Sequence, residues 1–515
     1  MKPPRGGNHL LKASIFATGL AGIVAEYVMA TLATYLLGDP VKQWTLTISL
    51  MLFAMGVGSR FSRKIRGSLL DAFVAVELLL SVLCASCALI TYLLAAYLES
   101  VALVLYGLAF AIGFLIGLEM PLATRLNDQF EELRINVSSI MEKDYYGALL
   151  GGLIFAFFAL PQLGLTYTPI LLGAVNFAVA AALFVSYRRQ IARKISLTAA
   201  FAAVPALLAG LVLVAEPITL FGEQGQYKDR IVYQEQSSYQ KIVVTQWKEH
   251  FWLYLNGSEQ FSSYDEERYH EPLVHPAMSL SVSRQRVLIL GGGDGLAARE
   301  VLKHPDAGSI TLVDLDPAVT DLALNHPIFL RLNRDSLSDP RLRIINQDAH
   351  SYLRDSSQIF DVILIDLPDP KTVALARLYS REFYQTALKH LSRGGTLVTQ
   401  ATSPFFSKDA FLCILKTMRG AGIPSVALHN HIPTMGEWGW VLGFNAPEVS
   451  DAALRQRLSE QTFQGFETRF LNQEAMLHML HFGKGVLDRL DQVEVNQELN
   501  LALYNYYQRG EWDLY

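Results

Sequence analysis

Five aspartates that follow short apolar runs are the residues of this chain most suited to chemistry. Each comes within a few positions of such a run: Asp294 after Val287–Leu290, Asp314 after Ile310–Val313, Asp348 after Arg343–Ile345, and Asp366 and Asp369 after Phe360–Ile365. If the runs are parallel strands of one sheet, their carboxyl ends meet at the edge where open α/β folds bind ligands. An isolated acid there is usually a cap or a turn residue, but five together predict a negatively charged crevice for a cation.

Asp294 indicates which class of ligand the glycine loop can bind. It lies in the loop Gly291-Gly-Gly-Asp-Gly295, and Gly293-x-Gly295-x-x-Ala298 loosely matches the dinucleotide-binding pattern. A dinucleotide would place its pyrophosphate on this loop, where a carboxylate would repel it. The loop therefore favours a sulfonium nucleoside, an amine, or both. The alternative is that Asp294 only caps the helix predicted from Leu296 to His304.

A crevice of this kind suits a reaction between two cations. A sulfonium can give up a carbon to an amine, but the amine is protonated at neutral pH and must first lose a proton. Asp366 and Asp369 are the best candidates for the base. Asp314 is placed to hold two ribose hydroxyls, and Asp348 could accept a hydrogen bond from an adenine amino group.

The elements that must position these acids form an α/β domain. Strand, glycine loop, helix and strand with a terminal acid make the first half of a nucleotide-binding βαβ unit. Before it, three short strands are predicted at Ile231–Tyr233, Lys241–Gln246 and Phe251–Leu255, with a hairpin turn at Asn256-Gly257. We therefore predict a small β domain over residues 222–281, a Rossmann-like catalytic domain of the class I methyltransferase type over 282–450, and a C-terminal helical extension over 451–515.

The first 221 residues predict an integral membrane domain. Long apolar stretches recur, most of them able to cross a hydrocarbon core of ~30 Å, and we count about seven transmembrane helices. The stretches are Leu10–Leu37, Trp44–Gly58, Leu69–Leu98, Val101–Leu122, Tyr146–Leu165, Tyr167–Tyr187 and Leu197–Phe221. Gly113-x-x-x-Gly117 and Gly147-x-x-x-Gly151 predict close contacts between helices. The fold class is thus a multi-pass α-helical membrane domain followed by the β and α/β domains.

Three acids lie within these stretches or near their ends. Glu26, Glu77 and Glu119 would each have to face the bundle interior, pair with a partner, or stay protonated, since an acid in lipid is costly. They indicate either a path or site for a cation or amine, or simple hydrogen bonds between helices. For Glu119 the non-functional interpretation is favoured, in its case simple proximity to the membrane interface.

Basic residues predict which side of the membrane each loop faces. Three groups mark cytoplasmic segments: Lys2, Arg5 and Lys12; Arg60, Arg63, Lys64 and Arg66; and Arg188, Arg189, Arg193 and Lys194. Seven crossings from a cytoplasmic start would place everything after Phe221 on the opposite side. Either the count differs by one or the second half is extracytoplasmic.

Composition excludes several classes of function. The chain has 515 residues, a net charge of −5 and only three cysteines, so neither a nucleic-acid partner nor a disulfide framework is expected. Cys84 and Cys87 have redox spacing but lie in an apolar helix, where small buried side chains are expected. His270 and His275 do not have the helical zinc-binding spacing, so no metal is assigned.

The second half resembles the polyamine aminopropyltransferase (spermidine synthase) family, and the whole chain resembles its membrane-fused bacterial form. The resemblance rests on ordered segments: Ser238–Gln240, Leu255–Gly257, Gln260, Asp265-Glu266, Tyr269–Glu271, Gly291–Gly295 with Arg299-Glu300, Asp348, Asp366–Pro370, Tyr379–Tyr384, Gly394-Gly395 and Gly436–Trp440.

The resemblance implies that decarboxylated S-adenosylmethionine, as a co-substrate, donates an aminopropyl group to a diamine, normally putrescine. The products would be spermidine and methylthioadenosine, with no permanently bound cofactor and no metal. By position, Asp366 would accept the proton. The nucleoside would be bound by Gln240, Asp314, Asp348, Ala349, Gly291 and Gly293, and the amine or the aminopropyl arm by Tyr269, His270, Asp294, Asp369 and Trp438. The family also suggests a homodimer.

Two other functions stay open at this point. One is a methyltransferase on the same fold; the other is a polyamine transporter or sensor whose second half only binds. The loop Lys371–Ala376 replaces the family's Gly-Pro loop and bears on which amine is accepted. We expect a multi-pass protein of the inner membrane, and we place the catalytic domain in the cytoplasm because the donor is made there, although seven spans and the positive charges disagree.

Overall fold

The computed structural model describes residues 7–38, 40–95, 97–98, 100–128, 132–192 and 194–512. They form two compact units, Met1–Arg230 and Ile231–Tyr515. The break lies close to the predicted boundary at 221/222. The predicted segments 282–450 and 451–515 and most of 222–281 share the second unit, and the boundaries inside it stay predictions.

The regular elements described in the first unit up to Gln224 are all helices, as its apolar composition predicts. Its seven α-helices are α1 (Gly7–Leu37), α2 (Pro40–Ser62), α3 (Leu69–Ala95), α4 (Ala102–Asn127), α5 (Leu133–Ile154), α6 (Leu160–Ser186) and α7 (Lys194–Gln224). A short π-helical turn, Phe155–Ala159, joins α5 to α6. Cys84 and Cys87 are buried in α3, as expected.

The number of candidate membrane spans differs from the sequence prediction. Six helical stretches among the described residues are long and apolar enough to cross a bilayer, where about seven were predicted. The difference arises because α5 and α6, which follow each other without an intervening loop, count together as one stretch of 53 residues, Arg134–Ser186. Gly164 interrupts that stretch with φ 61° and ψ −168°, a backbone conformation outside the helical region. The interruption falls close to the predicted end of a span at Leu165.

Glycines set how closely the helices approach. A Cβ on Gly147 would lie 2.0 Å from the carbonyl oxygen of Phe16, and one on Gly117 would lie 2.1 Å from that of Met55. Any larger residue would push the backbones apart. The predicted close contacts at both small-residue motifs are therefore confirmed.

Contacts with α3 give the direction of the last two helices. In α6, Ile170 packs near Leu89 and Gly173 against Ser81, so α6 runs antiparallel to α3. In α7, the order is reversed, since Ala215 packs near Leu89 and Gly222 packs against Tyr92 further along α3. The α7 helix therefore ends at the carboxyl-terminal end of α3.

Both described basic loops lie at the other end of α3. The loop with Arg63, Lys64 and Arg66 leads directly into the start of α3, and the backbone N–H of Ala192 donates to Asp71 Oδ1 there at 3.2 Å. The contact between Ala192 and Asp71 places the Arg188–Arg189 loop at this same end of α3. Lys2, Arg5 and Arg193 lie outside the described residues. The chain thus leaves the helical unit at the end opposite to these basic loops.

The second unit contains two sheets, eleven α-helices and one short 3₁₀ helix, Ser336–Ser338, in its described residues. The strands are β1 (Arg230–Gln236), β2 (Lys241–Trp247), β3 (His250–Leu255), β4 (Ser258–Ser262), β5 (Arg286–Gly291), β6 (Ser309–Asp314), β7 (Leu342–Asn346), β8 (Phe360–Asp366), β9 (Leu391–Gln400), β10 (Ser425–Ile432) and β11 (Gly436–Phe444). The helices are α8 (Glu267–Leu280), α9 (Leu296–Leu302), α10 (Pro317–Asn325), α11 (Pro327–Asn333), α12 (Ala349–Asp355), α13 (Val373–Arg377), α14 (Arg381–Lys389), α15 (Lys408–Gly420), α16 (Asp451–Ser459), α17 (Gln473–Leu480) and α18 (Ala502–Gln508).

The small sheet is an antiparallel meander in the order β1-β2-β3-β4. The predicted turn is confirmed, because Asn256 and Gly257 have φ angles of 50° and 76°, as a tight hairpin requires. The fourth strand was not predicted. Its polar sequence Ser-Glu-Gln-Phe-Ser has little of the apolar alternation that marks a strand.

The large sheet has the order β10-β11-β9-β8-β5-β6-β7. Strands β7, β6, β5, β8 and β9 are parallel, and β11 is antiparallel to both of its neighbours. This is the Rossmann-like methyltransferase arrangement that the sequence predicted. The apolar runs are fully buried on central strands, because helices cover both faces of a parallel sheet.

One apolar core links the meander, the large sheet and the C-terminal helices. It includes Phe261 from the meander, Leu273 from α8, Leu364 from β8 and Met476 from α17. A shared core explains why these parts form one compact unit, since none of them buries its apolar face alone. The extension after residue 450 is therefore part of the packed core of this unit.

Candidate active site

The five aspartates lie at the carboxyl edge of the parallel strands, as predicted. Asp366 ends β8 and pairs in register with Gly291 at the end of β5, while Asp314 ends β6 and pairs with Asn346 at the end of β7. Asp294 lies in the loop after β5 and is close enough to both Asp366 and Asp314 to raise their pKa values. The structure therefore brings together acids separated by more than seventy positions in the chain.

Close contacts within the protein require glycine at two positions of the loop Gly291–Gly295. Gly291 has φ 84°, and a Cβ there would lie 1.9 Å from the backbone oxygen of Asp366. A Cβ on Gly293 would lie 2.6 Å from Asp314 Oδ2. The family resemblance assigned these two glycines to nucleoside binding. The structure adds that they let the ends of neighbouring strands, and the Asp314 carboxylate, come close to the loop.

Asp366 is a half-buried carboxyl with one strong hydrogen bond. The hydroxyl of Tyr269 donates to Asp366 Oδ1 at 2.7 Å, and Tyr269 itself is buried in α8. Burial raises the pKa of Asp366 to about 6; Asp294 raises it further, while His270 and the Tyr269 hydrogen bond oppose the rise. At neutral pH this carboxyl is ionised and has a pKa close to the operating pH, which suits a general base.

His270 is held as a cation beside the acids. Its Nδ1 lies 3.0 Å from Glu266 Oε2 in the preceding turn of the chain. Burial opposes the charged imidazole, but the hydrogen bond and charge of Glu266, together with Asp294 and Asp366, raise the pKa of His270 to about 9. A protonated His270 stabilises the ionised form of Asp366.

Arg299 is the next charged group in contact with Glu266, the partner of His270. Its guanidinium lies 2.8 Å from Glu266 and 2.8 Å from Glu300, and it also donates to the backbone oxygen of Leu332. Glu266 and Arg299 were noticed in the sequence only as parts of a family pattern. The structure gives them a role in holding His270, which no local sequence signal indicates.

Asp294 accepts a hydrogen bond from the first residue of α9, as the alternative interpretation of a capping role predicted. Its Oδ1 accepts from the N–H of Leu296 at 2.8 Å. Its carboxylate also faces His270, and burial raises its pKa while His270 lowers it. The capping interaction and a position in the acidic crevice are therefore compatible.

Asp369 is fixed by residues from two distant parts of the chain. Gln400 at the end of β9 donates to Asp369 Oδ1 at 3.2 Å, and the Tyr507 hydroxyl from α18 donates to Oδ2 at 2.9 Å. Burial raises the pKa of Asp369, while Lys371, Tyr507 and Gln400 lower it. Tyr507 belongs to the predicted C-terminal helical extension, in which the sequence indicated no site residue, whereas the structure brings it into the site.

The loop after β8 is fastened by a further tyrosine. The Tyr379 hydroxyl donates to the backbone oxygens of Leu367 and Pro368 at 3.0 and 3.1 Å, and it accepts from Gln400 Nε2 at 2.6 Å. Tyr379 is fully buried. It therefore fixes the segment that separates Asp366 from Asp369.

Asp314 is anchored by the backbone at the end of the crevice that is predicted to bind the nucleoside. Its two oxygens accept from the N–H groups of Gly293 and Asp316 at 3.0 and 2.9 Å. Burial raises the pKa of Asp314 to about 6, against the effect of these two donors. Gln240 reaches the same place from the meander, where its Nε2 donates to Asp316 Oδ2 at 3.0 Å. Asp316 is a contact that the sequence did not assign.

Asp348 caps α12, and Ala349 is the first residue of that helix. Asp348 Oδ1 accepts from the N–H of Ser351 at 2.8 Å, while Ala349 is buried. Both residues lie after β7, the strand beside β6. Their position at the same edge as Asp314 agrees with the predicted adenine end of the crevice, and the contact with adenine stays a prediction.

Trp438 lies in β11, two residues from Trp440. The ring of Trp440 packs against Tyr269 at 5.5 Å between centroids. Trp438 is buried, and its indole N–H has no hydrogen-bond partner among the described residues. The aromatic side chain that contacts the site directly is thus Trp440, whereas a contact of Trp438 with an amine stays a prediction.

Glu271 joins α8 to the C-terminal extension. Its buried carboxylate accepts three backbone hydrogen bonds, from Arg469, Phe470 and Leu471, at 2.6, 2.9 and 2.7 Å. It directly follows His270 in the helix that also carries Tyr269. The extension therefore stabilises the helix that presents two site residues.

Comparison with known proteins agrees with this geometry. A family model described as the spermine/spermidine synthase domain matches residues 266–452. Polyamine aminopropyltransferase 2 of Aquifex aeolicus is 42% identical over 503 residues, which cover 96% of this chain and 98% of that protein. The chain belongs to the polyamine aminopropyltransferase family. The match to the Aquifex aeolicus protein thus includes the helical unit as well as the site.

Other members and solved structures are similar to the chain. The polyamine aminopropyltransferase of Leptospira interrogans is 38% identical, with 98% of each chain covered. The crystal structure of spermidine synthase from Thermotoga maritima is 26% identical, covers 51% of this chain and 88% of its own, and has a TM-score of 0.45.

Proposed function

We propose that this aminopropyltransferase moves the aminopropyl group of decarboxylated S-adenosylmethionine to a diamine, with putrescine as the favoured acceptor. The products are spermidine and methylthioadenosine. The observation that carries the proposal is the Asp366 carboxyl, held by Tyr269 and flanked by His270 and Asp294 at the carboxyl edge of the sheet.

The chemistry follows from this arrangement. The amine nitrogen attacks the carbon next to the sulfonium sulfur, so that a C–N bond forms while the C–S bond breaks and its electron pair returns to sulfur. The nitrogen loses a proton to Asp366, which is ionised because its pKa is about 6. The leaving thioether is neutral and needs no acid. Holding both cations beside the acids supplies the orientation that the reaction needs.

Each end of the crevice has a separate task. Asp314, supported by Gly293, faces the ribose, with Gln240 and Asp348 beside it and Gly291 and Ala349 lining the nucleoside end. Asp369 and Asp294 attract the ammonium groups of the amine or the aminopropyl arm. Tyr269 and His270 hold Asp366 in position and in its ionised form.

Product analysis of the purified protein tests this function. With decarboxylated S-adenosylmethionine and a panel of diamines, we expect methylthioadenosine and one preferred polyamine product. Asp366→Asn keeps the shape of the side chain but accepts no proton, and we expect a loss of turnover of about 10²-fold or more, in the range that general bases contribute. Methyl transfer from S-adenosylmethionine without aminopropyl transfer would instead favour the methyltransferase alternative.

We also propose a multi-pass protein of the inner membrane whose catalytic unit faces the cytoplasm, because the donor is made there and would not cross a bilayer unaided. The positive charges favour the other side, since α7 ends away from both described basic loops. A reporter fused after Phe221 tests the orientation: activity only in the extracytoplasmic compartment would refute our choice. The homodimer implied by the family is tested by light scattering of the solubilised protein.

A further inference from the structure

Four carboxyl groups from four different helices lie near one another in the helical unit. They are Glu26 in α1, Glu77 in α3, Glu119 in α4 and Asp144 in α5. Asp144 is close enough to interact electrostatically with Glu26 and Glu119, and Glu119 in turn interacts with Glu77. Asp144 also packs on α1, because a Cβ on Gly19 would lie 2.8 Å from its Oδ1. The four acids therefore form a row that runs across the bundle.

The two most buried acids of this row, Glu77 and Glu119, lack the basic partners that buried acids normally have. Glu77 is fully buried, and no N–H or hydroxyl donor among the described residues hydrogen-bonds to its carboxyl oxygens, although its carboxyl lies within hydrogen-bond reach of that of Glu119. Glu119 Oε1 is also buried without a partner. Across the described part of the chain, no salt bridge joins any of the four to a lysine, arginine or histidine. Leaving such groups unpaired is costly, so an intramembrane acid without a partner indicates a functional site.

Two neutral side chains beside Glu77 point to the same conclusion. Ser81, one turn along α3, and Asn176 on α6 each have a buried oxygen with no partner. Gly173 packs against Ser81, and Asn176 lies about one helical turn from Gly173, which places it opposite the Glu77–Ser81 turn. The unsatisfied atoms here are all able to accept hydrogen bonds.

We propose that Glu26, Glu77, Glu119 and Asp144, with Ser81 and Asn176, bind a protonated polyamine within the helical unit. An ammonium group carries three donors and no acceptor, which matches a cluster of acceptors that no donor of the protein satisfies. A linear polyamine places several such charges along one chain, as the row of carboxylates requires. The acids are spread over four helices, and no group of three metal-ligating side chains converges among the described residues. The site would let the protein sense or move the class of compound that its second unit makes.

Binding stoichiometry in the full-length protein tests the proposal. Equilibrium dialysis of the solubilised protein with radiolabelled spermidine should show one bound equivalent more in the wild type than in Glu77→Gln. Glu119→Gln is a second variant with the same expectation. The matched control is Glu216→Gln, which removes an acid from an exposed position of the same unit and should keep the wild-type stoichiometry.

Aminopropyl transfer measured on the same preparations separates this site from the catalytic one. We expect unchanged turnover in all three variants, which also shows that they fold. Equal spermidine binding by the wild type, Glu77→Gln and Glu119→Gln would overturn the proposal, as would an equal loss in Glu216→Gln. The proposal shares with the proposed function only the class of ligand. A wild type that binds the extra equivalent but transfers no aminopropyl group would refute the function alone.

Discussion

The hydrogen bond from Tyr269 to Asp366 should set the lower pH limit of the reaction. Asp366 accepts a proton only when ionised, so activity is present above its pKa and is lost as the pH falls through about 6. The Tyr269 hydroxyl donates at 2.7 Å to the ionised form and lowers this pKa. Tyr269→Phe removes the donor and leaves the ring against Trp440.

The size of the effect follows from the strength of such a bond. A hydrogen bond to a charged group contributes ~1.5–3 kcal/mol, and one pKa unit corresponds to about 1.4 kcal/mol. We therefore expect the pKa of Asp366 to rise by about 1–2 units in Tyr269→Phe. The variant should lose activity steeply between pH 6 and 8 and recover part of it at higher pH.

The assay is methylthioadenosine release across the pH range, with kcat/KM plotted against pH. Tyr264→Phe is the matched control, because it removes an exposed hydroxyl from the segment just before α8 and should leave the acid limb unchanged. An acid limb in Tyr269→Phe that coincides with the wild type would refute the role given to this bond. A loss of equal size at every pH would also refute it, since that pattern indicates a purely structural effect.

Three further predictions follow from contacts of the second unit. Tyr507→Phe removes a 2.9 Å donor from Asp369, so we expect KM for the diamine to rise about 10-fold, while Tyr506→Phe, whose hydroxyl bonds outside the site, leaves it unchanged. Gln240→Glu places an acid 3.0 Å from Asp316, and repulsion should raise KM for the donor with little change in KM for the diamine. Glu271→Gln weakens three backbone hydrogen bonds to a buried carboxylate, and we expect about 2–4 kcal/mol of lost stability, seen as a lower melting temperature of the full-length protein. An unchanged KM in the first two cases, or an unchanged melting temperature in the third, would contradict the corresponding contact.

The acids at the strand ends were the part of the site that the sequence predicted best. Asp314 and Asp366 follow apolar runs, and parallel strands present their carboxyl ends at one edge, so their convergence followed from local pattern alone. The about seven predicted spans correspond to seven helices, α1 to α7, but the non-helical backbone at Gly164, inside the single 53-residue stretch Arg134–Ser186, was not predicted. Hydropathy registers an apolar stretch and not a single residue with non-helical backbone angles.

The sequence by itself determined the acidic character of the crevice, the α/β fold that holds it and the apolar helical half. These depend on periodicity and on residue types next to one another in the chain. Only the tertiary structure decided that Tyr507, 138 residues away, hydrogen-bonds to Asp369, and that Glu271 binds the backbone near residue 470. Such contacts depend on how distant elements pack around a shared core, which local pattern does not encode. The same holds for the row of carboxylates in the helical unit, whose members become neighbours only when four helices assemble.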